Sequence, residues 1–591
     1  MTTFPMLRVK RSNEHMLSDV FKVLALYHLP IWIEDPVGIL RFILLVAVGG
    51  LIDGIFSLIR YKKLWCCASG AVTAAIISLL SSGAPLWGQL LGITIALVIG
   101  KQIWGGTGKN ILNPALVGLI PIMLLFDLSY PEFAKSYFYI PALLLGLLFL
   151  KVRPFAGIGY MVGMLTGLYL NQELTLWSIL TSGVLFWGCL VMTDPVTVTK
   201  NRIAGSAAGF LAGFGGLLFN AVPVAAPLCI LLMNLFSAVV ETSAGKNQEG
   251  QKARLALPRA VSSKHYEKKL IDLTQLANKV PLSEAEVSKL SVEDILQQIK
   301  HSELFGMGGA AFPTYRKLET LLTSEEEKYF IINGVECDPG LIHDAWLLRN
   351  FHKEIQRGIE LIRRCTSFTG TYLAVKSVDG LTYPDYIKLH QVKDLYPIGA
   401  ERILIAEVLG KQLTNRQIPA ERGVLVLNAQ TVYAIYEAIY LKKAADTRIL
   451  TVADLNLKSA QVVRAKLGMK LRGIMEAVYP GAVNLYVGGG IMQASLAEEE
   501  DVVDQSVNFI ATGSYPTYKE SPQCSKCGSC SRYCPCGLKV NLIADLIDLG
   551  KVEETIRYNV SECIGCGSCS YLCPAGRNLA ARVTLAKNAL R

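Results

Sequence analysis

The chain has 591 residues, 51% hydrophobic and 18% charged, with a formal charge of +10 and a mean hydropathy of +0.37. Its apolar residues crowd before about residue 245 and its charged ones follow, which excludes a disordered chain and an ordinary soluble enzyme. The surplus Lys and Arg flank apolar segments, where cations orient a chain in a bilayer, so no nucleic-acid partner is expected.

The N-terminus, MTTFPMLRVKRSNEH, is basic and lacks the short apolar core and small-residue cleavage site of a signal peptide. Segments of the length and apolarity that a crossing needs run over 42–59, 64–80, 86–104, 111–126, 154–170, 174–192, 203–220 and 221–240. Two weaker segments, 137–150 and 19–34, bring the expected total to about ten, the latter as a half-span or an interfacial helix. With the N-terminus inside, Arg8, Lys10, Arg11, Arg60, Lys62, Lys63, Lys101, Lys109, Lys151, Arg153, Lys200, Arg202 and Lys246 collect on the inner side. Lys135 and Arg41 fall outside, so both termini and everything after Lys246 are expected on the cytoplasmic face of the inner membrane, in contact with its lipid.

Two motifs stand out in this half. Gly105-Gly106-Thr107-Gly108-Lys109-Asn110-Ile111-Leu112-Asn113-Pro114-Ala115 joins two segments on the inner side, and Met192-Thr193-Asp194-Pro195-Val196-Thr197 leaves a later one. Each reads either as a tight turn with capping residues or as backbone opened to a ligand. Asp53, in mid-segment, marks either a polar path for ions or protons or a hydrogen bond to a neighbouring helix.

From Glu303 the chain changes character. Gly306-Met307-Gly308-Gly309-Ala310-Ala311-Phe312-Pro313-Thr314, then Lys317, precede a helix, and the strand 328–332 opens onto Asn333-Gly334-Val335-Glu336-Cys337-Asp338-Pro339. Clustered glycines ahead of a helix offer backbone N–H groups to a phosphate, and acidic residues after the next strand can hold a ribose or the nicotinamide side of a dinucleotide.

Of 15 cysteines, nine lie between Cys524 and Cys573. Cys524, Cys527, Cys530 and Cys534, then Cys563, Cys566, Cys569 and Cys573, repeat one spacing that ends in Cys-Pro. This is the bacterial two-cluster spacing, in which the fourth cysteine of each run reaches the other cluster. Cys524, Cys527, Cys530 and Cys573 are therefore expected on one [4Fe–4S] cluster and Cys563, Cys566, Cys569 and Cys534 on a second, with Cys536 a non-ligand neighbour. A structural zinc site needs four ligands, not eight in two copies, and thiols used this way belong in a reducing compartment.

Taken together, the membrane motifs resemble the integral flavoprotein family of the Rnf D and Nqr B subunits, over most of residues 15–240. That family carries FMN on a threonine in an outer loop. The corresponding stretch here, LSYPEFAKSY from Leu128, has no threonine, so no phosphoester-linked FMN is expected. From about Leu304 onward the chain resembles the Rnf C subunit and, in its glycine loop, the NADH-binding flavoprotein subunit of respiratory complex I. Further matches are Tyr396-Pro397-Ile398-Gly399-Ala400-Glu401, Pro419, Gly423, Asn428 with Thr431, and Val487-Gly488-Gly489-Gly490.

This resemblance implies non-covalent FMN and NADH around Gly306, Gly308, Gly309, Thr314, Lys317, Asn333, Glu336, Asp338, Asn428 and Thr431, with no single catalytic residue assigned. Two departures stand out: Ala311 replaces a glycine of the family loop, and Asp344-Ala345-Trp346 replaces its acidic-then-basic residues.

The expected architecture is a multi-pass α-helical membrane domain (1–245), a linker (246–302), a soluble α/β flavin- and nucleotide-binding domain (303–455), a small β-grasp-like domain (456–512) and an α-helical two-cluster ferredoxin-like domain (513–591). The expected function is that of an electron-transport oxidoreductase subunit between NADH and partner subunits of an Rnf-like ion-translocating complex, with ferredoxin a further partner. The alternatives are an uncoupled membrane-anchored NAD(P)H or ferredoxin oxidoreductase, and an electron relay whose nucleotide site has decayed.

Overall fold

The computed structural model describes residues 13–62, 68–128, 154–181, 183–199, 201–219, 224–243, 255–257, 269–274, 280–308, 311–414, 416–514, 520–521 and 524–590, with positions 142, 145 and 147. Its N-terminal half is helical: α1 (Asn13–Glu34), α2 (Val37–Tyr61), α3 (Ala68–Leu80), α4 (Leu86–Leu97), α5 (Pro114–Leu125), α6 (Pro154–Leu170), α7 (Arg202–Leu218) and α8 (Ala225–Ser243). Small residues let these helices approach closely. Gly159 and Gly163 on α6 lie against the Ser206 and Phe210 carbonyls of α7, while Gly209 and Gly213 on α7 lie against those of Ala156 and Tyr160. Lipid offers no hydrophobic drive between helices, so such close backbone contact holds a pair together.

The expected set of about ten spans is not what the helices display. Among the described residues only His15–Glu34 and Val37–Arg60 are long and apolar enough to cross a membrane. The first, expected as a half-span or an interfacial helix, is a continuous helix through Pro30. The others are shorter: α6 fills its expected 154–170, while two segments break for local reasons. The 174–192 segment is cut at Gly183, whose φ of +69° no helix accepts, and continues through Val184–Phe186 into a π-helical turn at Trp187–Val191. Helix α4 runs into another such turn at Val98–Gln102, and α5 starts only where Asn113 caps it and Pro114 takes its first position. The 137–150 segment and the threonine-free loop fall almost entirely outside the described residues.

The soluble half is built on two sheets. The first holds β2 (Tyr329–Asn333), β3 (Gly370–Val375), β4 (Lys388–Gln391) and β5 (Val424–Asn428), all parallel, in the order β4-β3-β2-β5. The chain between these strands forms α9 (Val292–His301) and α10 (Thr314–Thr323) before β2, then α11 (His343–Asn350), α12 (His352–Cys365) and α13 (Glu401–Leu409), with α14 (Ala429–Tyr440) after β5. Strands buried on both faces read as unbroken apolar runs, as Phe330-Ile331-Ile332 and Val424-Leu425-Val426-Leu427 do.

The second sheet has the order β1-β7-β6-β10-β8-β9 and holds β1 (Ile271–Asp272), β6 (Thr447–Asp454), β7 (Ser459–Lys466), β8 (Leu485–Gly488), β9 (Ser495–Leu496) and β10 (Phe509–Thr512). Helix α15 (Leu471–Val478) packs across it through Leu471, Ile474 and Met475. The expected boundary at 455/456 therefore lies one strand too late, since β6 pairs with β7 and β10. The lead-in also adds β1 to the far edge. The C-terminal unit is a pseudo-symmetric helical repeat in which α16 (Val540–Asp548) packs on α17 (Leu579–Ala589) over Leu538, Ile543, Val560 and Val583.

Candidate functional site

The glycine loop opens at the carboxyl edge of the parallel sheet. In an open α/β sheet this edge is where ligands settle. Gly306 N–H donates to Phe312 O (2.8 Å) and Thr314 N–H to Leu304 O (2.9 Å), closing the loop at its base. Met307 N–H donates to Thr431 Oγ1 (2.9 Å), and Gly308 lies against Asn428. Asn333 and Asn428 end adjacent strands in register. Asn428 Oδ1 accepts from Gln430 N–H (2.8 Å) to cap α14, while its Nδ2 donates to Asp344 Oδ2 (2.7 Å). The amino termini of α10 and α14 thus flank the loop, a setting that favours an anion. The fully buried Thr314 hydroxyl and the Gln430 amide nitrogen have no protein partner, which suits a phosphate-bearing ligand such as FMN.

The structure brings Gly306, Gly308, Thr314, Asn333, Asn428 and Thr431 together; Gly309 lies outside the described residues. Lys317 is drawn away from the loop, its Nζ 2.9 Å from Glu401 Oε1 and 3.4 Å from Val426 O. Asp338 is spent on backbone: its carboxylate accepts from the N–H groups of Gly340 (3.0 Å), Ile491 (2.9 Å) and Met492 (3.1 Å), stapling the two sheets together. Asn333 works locally, taking Val335 N–H (3.0 Å) and donating to Gly399 O (2.9 Å).

Glu336 is buried and accepts Asp344 N–H (2.9 Å). Burial pushes its carboxyl above the usual range, and pushes Asp344 up to about 6 against the opposing pull of Asn428 and Arg448. His343, also buried, is pushed down to about 4 by desolvation, with Glu336 opposing, and its Nδ1 lies 3.0 Å from Thr451 Oγ1 on β6.

Motif reading passed over two residues here. Arg448, the second residue of β6, donates to Met307 O (3.0 Å) and to Asn508 Oδ1, so the second sheet holds the glycine loop from behind. Burial lowers its guanidinium to about 10. An arginine leading into the apolar run Ile449-Leu450 was the available signal. Asp344, met only as a departure from the family pattern, is the carboxylate tied directly to Asn428.

In the C-terminal unit the two cysteine runs fold alike. Lys526 N–H points at Cys524 Sγ (3.3 Å) as Gly565 N–H does at Cys563 Sγ (3.4 Å), and Ser529 and Ser568 stand at matching distances from Cys527 and Cys566 (3.6 and 3.4 Å). Cys534, Cys563, Cys566 and Cys569 line one cavity, while Cys573 lies close to Cys524 and Cys527. No group of three or more His, Cys, Asp or Glu among the described residues is tight enough for a single metal ion. The interleaved thiols and their N–H···S contacts suit a cubane, whose four thiolates each hold a different corner.

Three contacts seat the second run on the two-sheet unit, two from the flavin-domain side and one from the second sheet. Tyr396 donates to Cys566 O (2.6 Å), Arg402 pairs with Glu562 Oε2 (2.7 Å), and Gln493 Nε2 donates to Gly565 O (3.1 Å). The first run faces the membrane half, where Gly108 lies against the Cys524 carbonyl.

The membrane motifs use their polar groups within the helical half. Asn113 takes Ala115 N–H (3.1 Å) and gives its own N–H to Asn234 on α8 (3.0 Å); Asp194 takes Val196 N–H (3.1 Å) and the Thr197 hydroxyl (2.7 Å). Lys101, expected among the inner-face cations, is buried: its Nζ lies 2.6 Å from Asp53 Oδ2 and 3.0 Å from Ser69 Oγ.

Residues 299–437 match the Nuo51 FMN-binding domain, residues 1–138 the NQR2, RnfD, RnfE family, and residues 517–574 the 4Fe-4S dicluster domain. The C subunit of the ion-translocating oxidoreductase complex of Rhodobacter capsulatus is 29% identical over 264 residues, spanning 42% of this chain and 50% of the relative. Its counterpart in the Vibrio cholerae complex is 27% identical over 268 residues, 42% of this chain and 34% of the relative. Cobalamin reductase PduS of Salmonella typhimurium is 27% identical over 273 residues, 42% and 58%. The chain therefore spans from a third to three-fifths of the length of these relatives. It joins, in one polypeptide, a membrane-associated segment of the NQR2, RnfD, RnfE family, an FMN-binding domain of the Nuo51 type and a 4Fe-4S domain.

Proposed function

We propose that this protein is a membrane-bound oxidoreductase subunit that exchanges electrons between NADH and partner subunits of an Rnf-like complex, through non-covalent FMN and two [4Fe–4S] clusters. The observation that carries this reading is the continuity of the site: the glycine loop at the sheet edge and the second cysteine run share one unit through Tyr396, Arg402 and Gln493. FMN, when bound, supplies the conversion between two-electron and one-electron transfer.

The chain's own residues do the rest. The Thr314 hydroxyl, the Gln430 side-chain amide and the amino termini of α10 and α14 hold the phosphate. Asn428 and Asp344 border the same floor, with the buried Glu336 behind them on the Asp344 N–H. Cys563, Cys566, Cys569 and Cys534 serve one cluster and Cys524, Cys527, Cys530 and Cys573 the other. In this reading the clusters stand in series between the flavin unit and the membrane half, which the contacts of the two runs support. The membrane half, its remaining apolar helices crossing or half-crossing the bilayer, keeps the soluble units cytoplasmic; other subunits and ferredoxin are the exchange partners.

The test is anaerobic addition of NADH to the purified chain, following flavin absorbance and the paramagnetic signals of the clusters, with dithionite marking full reduction. Reduction of both by NADH is expected. Reduction by dithionite alone supports the second reading, a relay with a closed nucleotide site, for which Ala311 is the specific observation: it stands in the loop at φ +46°.

A further inference from the structure

Five thiols, not four, converge on the second cysteine run. Cys534, Cys536, Cys563, Cys566 and Cys569 line the same cavity, whose floor is apolar at Val583. A cubane held by Cys563, Cys566 and Cys569 requires one more thiolate, and two stand ready on either side of Pro535. Cys534 and Cys536 stand side by side in this lining, and the Ile564 N–H lies near Cys536. Arg402, ion-paired to Glu562, also lies near Cys536. An N–H donor and a nearby cation are what a ligating thiolate calls for.

The pseudo-symmetric partner supplies the control. Cys573-Pro574-Ala575-Gly576 makes the same turn as Cys534-Pro535-Cys536-Gly537, with Gly576 N–H on Cys573 O (3.1 Å) and Gly537 N–H on Cys534 O (3.0 Å). Both terminal glycines have φ of +68°. The two turns differ in the third residue: a buried alanine in one, a thiol facing the cluster cavity in the other.

We propose that Cys536 is a second, interchangeable ligand for the fourth corner of the cluster held by Cys563, Cys566 and Cys569. In the exchange the iron bond to Cys534 Sγ breaks and one to Cys536 Sγ forms. The proton that Cys536 gives up is taken by the released Cys534 thiolate, so total charge and electron count stay fixed. The cluster nearest the flavin unit thereby has two ligation states, one with its fourth ligand beside Arg402. The other cluster has one. This inference rests on the reading that the second run holds a [4Fe–4S] cluster.

The full chain, purified anaerobically, is compared with Cys534→Ala, Cys536→Ala, the double variant and Cys573→Ala, by iron content and by the paramagnetic resonance of the dithionite-reduced protein. Wild type is expected to hold about eight iron atoms, and Cys534→Ala to keep both clusters with a shifted signal for the second. The double variant and Cys573→Ala are each expected to lose iron from one cluster. Loss of iron from Cys534→Ala equal to that from the double variant overturns the inference while leaving the two-cluster reading intact; about four iron atoms in wild type overturns both. Should Cys534→Ala fail to fold, Cys536→Ala decides: removal of one component of the second cluster's wild-type signal upholds the exchange, and an unchanged signal overturns it.

Discussion

Ala311 is held at φ +46°, where an L-residue pays about 1–2 kcal/mol that glycine does not. Ala311→Gly is expected to raise the fraction of FMN retained through gel filtration and to speed bleaching by NADH; Ala311→Val, worse in that region, is expected to weaken FMN about tenfold or more. Unchanged flavin content in both would show that the loop's conformation does not govern binding. His343 and Asp344, whose Nε2 and Oδ1 lie 3.8 Å apart, make a paired titration. Asp344 is raised to about 6, so alone it adds stability as pH falls from 6 toward 4; His343 is lowered to about 4, so alone it loses stability as pH falls from 6.5 toward 4. In that window the unfolded chain carries the proton on the histidine and the folded chain on the aspartate, so the two slopes oppose each other, with Glu336, also raised by burial, acting in the same sense as Asp344. His343→Gln is expected to become more stable between pH 6 and 4, and Asp344→Asn less stable, each by roughly 2–3 kcal/mol in denaturant titrations; parallel curves for the two variants would disprove the pairing.

At the scale of elements, the parts that were legible in the sequence are those fixed by local spacing: the cysteine runs, the glycine loop and the apolar strands that end in Asn333 and Asn428. What was not legible depends on partners distant in the chain. Lys101 reads as a flanking cation because nothing near it in sequence announces Asp53, 48 residues away, and Asp338 reads as a ligand until Ile491 and Met492 arrive to occupy it. Lys317 likewise gives way to Glu401. The helix ends were missed because one glycine or a π-helical turn stops a helix without changing its average apolarity. In the membrane half, Asp53 binds α2 to both neighbours: Gly70 N–H (3.0 Å) at the start of α3, and Lys101 with Gln102 Nε2 (2.7 Å) after α4. Removing one partner of a buried pair strands the other at about 3–5 kcal/mol, whereas replacing both with apolar residues is far milder. Lys101→Met is therefore expected to shorten the thermal half-life in detergent sharply, and Asp53→Leu/Lys101→Met to recover most of it. A double variant as labile as the single would argue that the pair does more than hold helices.

Across the whole molecule, the buried pair, the glycine motif and the first cysteine run are physically contiguous. Gln102 bridges Asp53 to Arg60, whose guanidinium donates to the Gln102 side chain (3.0 Å) and carbonyl (2.9 Å) and lies against Gly106; two residues on, Gly108 meets Cys524. Gly108 has φ +85°, and the Cys524 carbonyl occupies the place a Cβ would take, so any side chain both strains the loop and expels the cluster unit from it. The other face of that unit is independent, held by Tyr396, Arg402 and Gln493 over residues 562–566. Hydrogen exchange separates the two. Gly108→Ala is expected to raise exchange in 105–110 and around 524–530 and to leave 562–566 protected, whereas Arg402→Ala is expected to do the reverse. If Gly108→Ala leaves 524–530 unchanged, the first cysteine run does not rest on the membrane half.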